Sequence, residues 1–277
     1  MRKSSLLFFL AILLTFPVTA QLEVMSYNIK FANETDGENS WSKRKAHLAN
    51  QIKFYEPEIF GVQEALVSQL QHFLSEMDAY QYVGVGRDDG KDAGEFSAIF
   101  YDVRKVEILD QGTFWLSETP EKPSKGWDAA FPRVCTFAKF REKDSSKEFW
   151  VFNTHFDHVG VQARKNSTKL IYERISELNN EKLPVILMGD LNLEPDAEEI
   201  QFLSEKFDDS KKVANLDFGP EGTFNAYDFS KPIIRRIDYI FTSKDNIEVE
   251  KYAVLSDSWE LKYPSDHLPV LVQLKLK

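Results

Sequence analysis

The most constraining feature of the chain is a short apolar run that ends abruptly in polar residues, Val185–Asn192. Its four apolar residues follow Pro184, which predicts a strand buried on both faces that begins just after a proline. The run then reaches Gly189 and presents Asp190 and Asn192. Residues two apart on an extended chain point the same way, so both side chains are expected to face one cavity. An aspartate-stabilised turn is the simpler interpretation, and a ligand site at the end of a strand is the functional one.

The first twenty residues have the pattern of a secretory signal peptide. Arg2 and Lys3 precede an apolar run over residues 6–14 and a small-residue cleavage site at residues 18–20. The run is too short to span a bilayer comfortably, and no cysteine follows the cleavage site, so neither a transmembrane nor a lipid anchor is expected. We therefore expect an exported protein, periplasmic or secreted, whose mature chain is residues 21–277.

The mature chain suits one large α/β domain or two small ones in length. It contains no linker-like stretch, no low-complexity tract and no internal repeat. Because no boundary is visible, we expect a single domain over residues 21–277. The only cysteine is Cys135, so the hydrophobic core, without an intramolecular disulfide, must stabilise the fold. The sequence makes no prediction about the oligomeric state.

The chain is acidic, with a formal charge of −10. Removal of the leader, which has two basic residues and no acidic one, leaves about −12. Such a surface repels long polyanions unless a local basic patch overrides the field. The charge therefore argues against a tight or processive nucleic-acid binder, although it does not exclude a nuclease.

Hydrophobic periodicity predicts alternating strands and helices. Helices are expected from residue 40 to Pro57, over 66–77 and 161–178, and after Asp196, where Glu199 completes a capping box. Strands are expected over residues 22–29, 58–64, 82–85, 96–101, 106–115, 134–140, 148–153, 185–188 and 235–241 and at the C-terminus. A proline-rich loop, residues 117–131, should cover one rim, where Trp127 is a candidate substrate contact.

Several predicted strands end in oxygen-bearing side chains. Asn28 ends the first strand and Glu64 the second, while Asp190 and Asn192 follow a later one. Oxygen ligands gathered from neighbouring strand ends suit a hard cation such as magnesium. The sequence therefore predicts a metal site where these strand ends meet.

Two further strand ends carry titratable groups. Asn153, His155 and Asp157 alternate after an apolar run, which places them on one side of a strand, and His158 on the other. His155 is a stronger functional candidate than a lone structural histidine because it ends a buried strand beside an aspartate.

Later in the chain, Asp238 lies within a predicted strand and needs a partner, whether a neighbouring arginine, a histidine or a metal. Asp266 and His267 are adjacent before the terminal strand, and both serve one site only if the backbone turns there, which Pro264 makes plausible.

Two arginines are candidate phosphate ligands. Arg44 lies on the first turn of a predicted helix, and its alternative is a solvated helix edge. Arg133 follows the proline-rich loop, and its alternative is a structural ion pair.

Together, the polar side chains of the strand ends supply a hard-metal site, a base with an orienting carboxylate, and oxyanion donors, as metal-assisted hydrolysis of phosphate esters requires.

Six segments, in the same order along the chain, resemble the motifs of the endonuclease/exonuclease/phosphatase superfamily. The chain resembles a secreted member of the bacterial type. The resemblance implies an α/β (α+β) fold of the DNase I-like kind, a four-layer sandwich of two packed mixed β-sheets flanked by helices, with the site at one end. The segments are Met25-Ser26-Tyr27-Asn28-Ile29, Gly61-Val62-Gln63-Glu64, Asn153-Thr154-His155, Gly189-Asp190-Leu191-Asn192, Arg236-Ile237-Asp238-Tyr239-Ile240 and Ser265-Asp266-His267-Leu268-Pro269-Val270.

The resemblance also implies roles for these residues. Glu64, assisted by Asn28, would hold Mg²⁺ or Mn²⁺ on the phosphate. His267 would be the base toward water, oriented by either Asp266 or Asp238, a choice that the sequence leaves open.

Asp190 and Asn192 would position the nucleophile or a second metal, and His155 would donate to the phosphoryl oxygens. Asp157 lies outside the superfamily-wide pattern and is a weaker candidate for binding the substrate phosphate.

The expected function is that of an exported, divalent-metal-dependent phosphoesterase that uses His-activated water on a phosphate mono- or diester. A small-molecule or lipid-like ester suits the acidic surface, and a nuclease acting on DNA or RNA is the alternative. A catalytically inactive binding module is a third possibility, which the complete set of acidic and histidine candidates disfavours.

Overall fold

The structure is a computed structural model that describes residues 21–277, and the expected signal peptide lies outside the described residues. The helices are α1 Trp41–Tyr55, α2 Val67–Glu76, α3 Val161–Leu178, α4 Glu198–Lys206 and α5 Ser210–Val213. The strands are β1 Gln21–Asn28, β2 Ile59–Ala65, β3 Tyr80–Val83, β4 Phe96–Asp102, β5 Val106–Trp115, β6 Val134–Glu142, β7 Glu148–His155, β8 Val185–Asp190, β9 Phe207–Asp209, β10 Leu216–Phe218, β11 Asp238–Ser243, β12 Ile247–Val254 and β13 Val270–Leu276.

The strands form two sheets. One has seven strands in the order β10-β12-β13-β1-β2-β4-β3, and the other has six in the order β5-β6-β7-β8-β11-β9. Each sheet is mixed: β1 and β2 run parallel in the first, β7 and β8 run parallel in the second, and most other neighbours are antiparallel. The predicted mixed-sheet architecture is confirmed.

Apolar side chains fill the spaces between four layers. The sheets share one core, in which Val24 and Ile99 of the first sheet lie in the same buried cluster as Val151 of the second. On the outer faces, α1 and α2 cover the first sheet and α3 and α4 cover the second. Full burial of each such side chain stabilises the fold by about 1.5–3 kcal/mol. The expected helix–sheet–sheet–helix sandwich is therefore present.

Two local predictions were wrong. The capping box after Asp196 is absent, since α4 begins after Ala197 and no side chain caps it. The strand expected from residue 235 begins only at Asp238, because Arg235 instead forms an isolated bridge with Phe224. Asp238 is therefore the first residue of its strand.

Strand pairing brings the polar ends of both sheets together. In the first sheet, Asn28 ends β1, and β13, which starts just after His267, pairs antiparallel with it. In the second sheet, His155 is paired with Asp190 at the ends of the parallel strands β7 and β8. Asp190 is also paired with Asp238, at the start of β11, which runs antiparallel to β8. The geometry of the sheets thus gathers residues that are far apart in sequence.

Candidate active site

A bulge turns the Glu64 carboxylate toward the first strand end. The register of β2 against β4 shifts between Val62 and Ala65, and Glu64 has φ of +60°. Such a bulge re-aims a side chain, and a non-glycine residue at positive φ is held there by its surroundings. Asn28 Nδ2 donates to Glu64 Oε1 at 3.1 Å and to Asp190 Oδ2 at 2.9 Å. One amide therefore ties the carboxylates of the two sheets together.

The orientation of Asn28 corrects its expected role as an oxygen ligand. Its Oδ1 accepts the backbone N–H of Lys30 at 3.1 Å, so the side chain presents its amino group, and not its oxygen, to the two carboxylates. In this arrangement Asn28 positions Glu64 and Asp190.

The surroundings of Glu64 keep its carboxylate ionised, as a metal ligand must be. Lys30 Nζ lies 3.5 Å from Glu64 Oε2, so a positive charge already faces this carboxylate. Burial raises the pKa of Glu64, but Lys30 and His267 outweigh it and the net shift is downward, which keeps the side chain anionic. Asp266 lines the same cleft, and burial and Glu64 raise its pKa although His267 opposes them. Carboxylate oxygens of this kind are preferred Mg²⁺ ligands, and Glu64 with Asp266 would hold the ion.

A second group links Asp190, His267 and Asp238. His267 Nδ1 donates to Asp238 Oδ2 at 2.9 Å, and His267 Nε2 lies 3.8 Å from Asp190 Oδ2. Thr223 Oγ1 also donates to Asp238 Oδ2. Asp238, and not Asp266, therefore makes the hydrogen bond that orients the His267 ring. One potential ligand atom from each of the three residues lies within 4.8 Å of the others, so the group could also hold a metal.

The charges of this group set its protonation. Burial lowers the pKa of His267, but Asp238 and Asp190 raise it to about 10. Burial and the Asp238 charge raise the pKa of Asp190 to about 7. His267 therefore carries a proton between two carboxylates in the resting site. The raised pKa of Asp190 makes this carboxylate a candidate proton acceptor, whereas the sequence had pointed to His267 alone as the base.

A glycine allows β7 and β8 to bring His155 beside Asp190. Gly189 has φ of +146°, and a Cβ there would lie 1.9 Å from the carbonyl oxygen of Thr154, so no larger residue fits. His155 Nε2 lies 3.4 Å from Asp190 Oδ2. Asn192 Nδ2 donates to the carbonyl of Phe156 and lies 3.1 Å from His155 Nε2. The structure thus brings His155, Asp190 and Asn192 together, as expected.

Arg133 fixes the tautomer of His155. Its NH1 lies 2.9 Å from His155 Nδ1, and because a guanidinium only donates, Nδ1 must accept. The ring proton is then on Nε2 and points toward Asp190 Oδ2, so the 3.1 Å contact of Nε2 with the Asn192 amino group is not a hydrogen bond. Burial and the charges of Arg133 and Arg87 hold the pKa of His155 well below its ordinary value. His155 is therefore a neutral ring with one N–H donor on the Asp190 side.

Arg44 does not line the cleft, which corrects its assignment as a phosphate ligand. Its side chain is 1 % exposed. The guanidinium donates to five backbone carbonyls, of Ile29, Lys30, Phe31, Asn39 and Pro264. Arg44 therefore braces the segments on either side of the site.

Asp157 is likewise committed to its own loop. Strand β7 ends at His155, so the alternation predicted through Asp157 and His158 does not extend that far. The Asp157 carboxylate accepts backbone N–H groups of residues 130, 131, 159 and 160, and Arg133 Nε lies 3.5 Å from it. With its oxygens occupied by these donors, it orders the loop beneath Arg133 and cannot meet a phosphate as expected. His158, in contrast, does line the cleft.

The site opens into a cleft of about 500 Å³. It is lined by Glu64, Arg133, His155, Asp190, Asn192, Asp266 and His267 from the predicted set, and by Lys30, Phe31, Arg87, Glu95, Phe131, His158, Phe224, Arg235 and Ile237. Phe131 belongs to the predicted rim loop, but Trp127 does not line the cleft. Arg87 and Glu95 were missed because they lie in a charged, glycine-containing loop that carries only a turn signal in the sequence.

Comparison with known proteins identifies the family. Residues 25–267 match the sequence profile of the endonuclease/exonuclease/phosphatase family. The chain belongs to this family. The match covers nearly all of the described residues, which confirms both the resemblance and the fold that it implied.

Solved structures of family members are similar over their whole length. A mannosyl-6-phosphatase of Bacteroides thetaiotaomicron is 42% identical, with a TM-score of 0.89 over 91% of this chain and 99% of that one. An endonuclease/exonuclease/phosphatase family protein of the same organism is 40% identical, with a TM-score of 0.91 over 94% and 99%. Among curated sequences, an uncharacterized protein of Acanthamoeba polyphaga mimivirus is 27% identical over 91% of this chain and 99% of its own.

Members of this family hydrolyse phosphoester bonds. Among residues 21–277, no helix is both long and apolar enough to cross a membrane.

Proposed function

We propose that this protein is an exported, divalent-metal-dependent phosphatase that hydrolyses a small phosphate monoester, namely a sugar phosphate. The observation that carries the chemistry is the continuous chain of contacts Asp238–His267–Asp190–Asn28–Glu64 at the floor of one cleft. The amide of Asn28 lies between Asp190, which can accept a proton, and Glu64, which can bind a cation. Metal-assisted attack of water on phosphorus requires both kinds of group.

Mg²⁺ or Mn²⁺ held by Glu64 and Asp266 would supply positive charge to the phosphoryl group. The remaining tasks belong to the chain itself. Asp190 takes the proton of the attacking water, His267 holds that water beside Asp190, and Asp238 keeps the His267 ring in place. The Nε2–H of His155 donates to the phosphoryl oxygens as negative charge builds on them.

Two observations support a small substrate. The cleft, at about 500 Å³, has the size of a small-molecule site. The acidic chain, at −10, disfavours long polyanions. The 42% identity with a mannosyl-6-phosphatase over 99% of that chain adds a sugar phosphate as the specific proposal. The signal-like first twenty residues support export to the periplasm or the medium.

A panel of esters tests the proposal. The purified protein, with Mg²⁺ or Mn²⁺, would be given hexose 6-phosphates, a chromogenic monoester, a chromogenic diester, plasmid DNA, RNA, a phosphoinositide and sphingomyelin. We expect the highest kcat/KM on a hexose phosphate and weaker turnover of the chromogenic monoester. Preferential cleavage of DNA or RNA would replace the proposal with a nuclease, and preference for a lipid would replace the sugar.

A further inference from the structure

One wall of the cleft carries polar groups that the proposed chemistry does not use. We call it the Arg87 wall, and define it as Arg87, Glu95, Phe131 and His158, all of which line the cleft. Arg133 also lines the cleft and connects the wall to the catalytic floor, since Arg133 NH1 is 2.9 Å from His155 Nδ1 and Arg133 NH2 is 3.3 Å from His158 Nδ1.

The centre of the wall is a partly buried ion pair. Arg87 NH1 lies 2.5 Å from Glu95 Oε2, and the side chains are only 10% and 19% exposed. Arg133 NH1 lies 3.9 Å from the same oxygen. Burying a charged pair contributes little net stability, because desolvation offsets the attraction. The pair therefore needs another explanation, and its position in the cleft suggests recognition of a ligand.

The pair retains unused hydrogen-bonding capacity. Arg87 donates to Glu95 through NH1, so its other terminal nitrogen remains a donor at the cleft. Glu95 receives a hydrogen bond from Arg87 on one oxygen, which leaves its other oxygen as an acceptor. Together they offer a planar donor and a planar acceptor side by side. Neighbouring hydroxyl groups, each of which both donates and accepts, match this combination.

An aromatic ring lies beside the pair. Phe131 is 48% exposed, although it is a large apolar side chain. Its ring lies 6.1 Å from that of His158 at an interplanar angle of 18°, and the Arg87 guanidinium lies 5.2 Å from its centre. The ring is thus held in place while much of its surface remains open. An apolar surface next to polar groups fits a ligand with a C–H face and hydroxyl edges.

The wall is connected to the catalytic floor through Arg133 and His155. Attacking and leaving oxygens are roughly in line in phosphoryl transfer. A water held at His267 therefore sends the leaving oxygen away from His267. Along the row of contacts, His155 follows Asp190, and Arg133, Glu95 and Arg87 come next. The group attached to the phosphate ester oxygen would then reach the Arg87 wall.

We infer that the Arg87 wall is a leaving-group subsite that binds the ring of a sugar phosphate. Glu95 and Arg87 hydrogen-bond neighbouring ring hydroxyls, and Phe131 packs against the C–H face. This inference rests on the proposed function, since it names which part of a sugar phosphate each side of the cleft receives. A site built for hydroxyl groups discriminates strongly against analogues that lack them.

Two substrates separate binding of the sugar from chemistry at the phosphate. Mannose 6-phosphate carries ring hydroxyls, whereas 4-nitrophenyl phosphate has none. For Glu95→Gln and for Arg87→Gln, we expect kcat/KM on mannose 6-phosphate to fall at least about 30-fold, mainly through KM, and to change less than about threefold on 4-nitrophenyl phosphate. Phe131→Ala should act in the same direction.

The matched control is Asp102→Asn. Glu95 immediately precedes β4 and Asp102 ends it, and Asp102 also pairs with an arginine, Arg104, but at the end of the strand away from the cleft. This variant should leave both substrates unaffected. Equal losses on both substrates in the Glu95 and Arg87 variants would overturn the inference, because the pair would then act only through His155. Unchanged kinetics in both would overturn it as well.

Equilibrium binding separates failure of the subsite from failure of the proposed function. Calorimetry would measure mannose 6-phosphate binding to His267→Gln, with and without Glu95→Gln. Loss of binding on adding Glu95→Gln, in a protein whose wild type turns over no phosphate ester, would keep the subsite and reject the phosphatase. Turnover of 4-nitrophenyl phosphate with no binding of any hexose phosphate would keep the phosphatase and reject the subsite.

Discussion

The floor of the cleft and the Arg87 wall are built in different ways. The floor consists of Asn28, Glu64, Asp190, Asp238 and His267, which lie at or next to the ends of strands from both sheets. The wall comes from loops: Arg87 and Glu95 precede β4, while Phe131 and His158 flank β6 and β7. Strand pairing fixes the positions of the floor residues. The positions of the wall residues depend instead on contacts among their own side chains.

This difference suggests a division of labour. A rigid sheet holds reacting groups to within a fraction of an ångström, which chemistry requires. Loops vary without disturbing the sheets, so they suit the selection of a substrate. We therefore expect floor substitutions to reduce kcat on every ester and wall substitutions to change the preference among esters.

The largest expected effect is at the floor. His267→Gln should lower kcat by about 10³- to 10⁴-fold on all substrates, because the oriented, charged ring that holds the water beside Asp190 is lost. Steady-state kinetics would measure it, with circular dichroism to show that the fold remains. His47→Gln, an exposed histidine of α1 stacked on Trp259, is the control and should retain activity. A loss of kcat on only one ester would contradict the division of labour between floor and wall.

Arg44 should affect stability rather than substrate binding. Arg44→Met leaves five carbonyl groups without their donor, and we expect a loss of about 3 kcal/mol in the free energy of unfolding. Urea denaturation would measure the loss, and the neighbouring Lys45→Met should show little change. If KM instead rose tenfold with stability intact, Arg44 would be a phosphate ligand after all.

Arg133 lies where floor and wall meet. Arg133→Gln should lower kcat about 10- to 100-fold on both sugar and chromogenic esters, because His155 loses the donor that fixes its tautomer. Nitrogen NMR of the His155 ring provides a readout that a purely structural role would not move. We expect the Nε2–H form alone in the wild type and a mixture in the variant. A single unchanged tautomer in the variant would remove the positioning role.

Asp157 gives the smallest effect, which depends on pH. Burial raises its pKa, but the N–H donors of its loop and Arg133 lower it to about 2, below the ordinary 3.8. The ionised form therefore stabilises the fold above pH 4, and this contribution is lost as pH falls toward 2. Asp157→Asn should lower the free energy of unfolding by about 1–2 kcal/mol at pH 6.

The difference from wild type should shrink steadily between pH 4 and pH 2, as measured by urea unfolding at each pH. Asp144→Asn, an exposed aspartate, is the control and should show almost no difference. A penalty that stays constant down to pH 2 would mean that the carboxylate charge is not what stabilises the loop.

The sequence predicted the floor better than the wall for a physical reason. Buried strands have a readable apolar pattern, so the residues at their ends, such as Glu64 and Asp190, can be placed before the fold is known. The pairing Asp238–His267 could not be read, because it depends on two segments meeting across the sheets. Arg44 was misassigned because a charged residue on a first helical turn gives no sign that backbone carbonyls surround it. Arg87 and Glu95 come from a loop with no periodic pattern at all.

The most direct test of the central claim is hydrolysis of mannose 6-phosphate before and after removal of divalent metal. With the wild type, we expect chelation to abolish turnover and added Mg²⁺ or Mn²⁺ to restore it. Glu64→Gln should need a far higher metal concentration, because the carboxylate that Asn28 and Lys30 hold in place is then neutral. Hydrolysis that survives complete metal removal, or a Glu64→Gln variant with an unchanged metal requirement, would contradict the account.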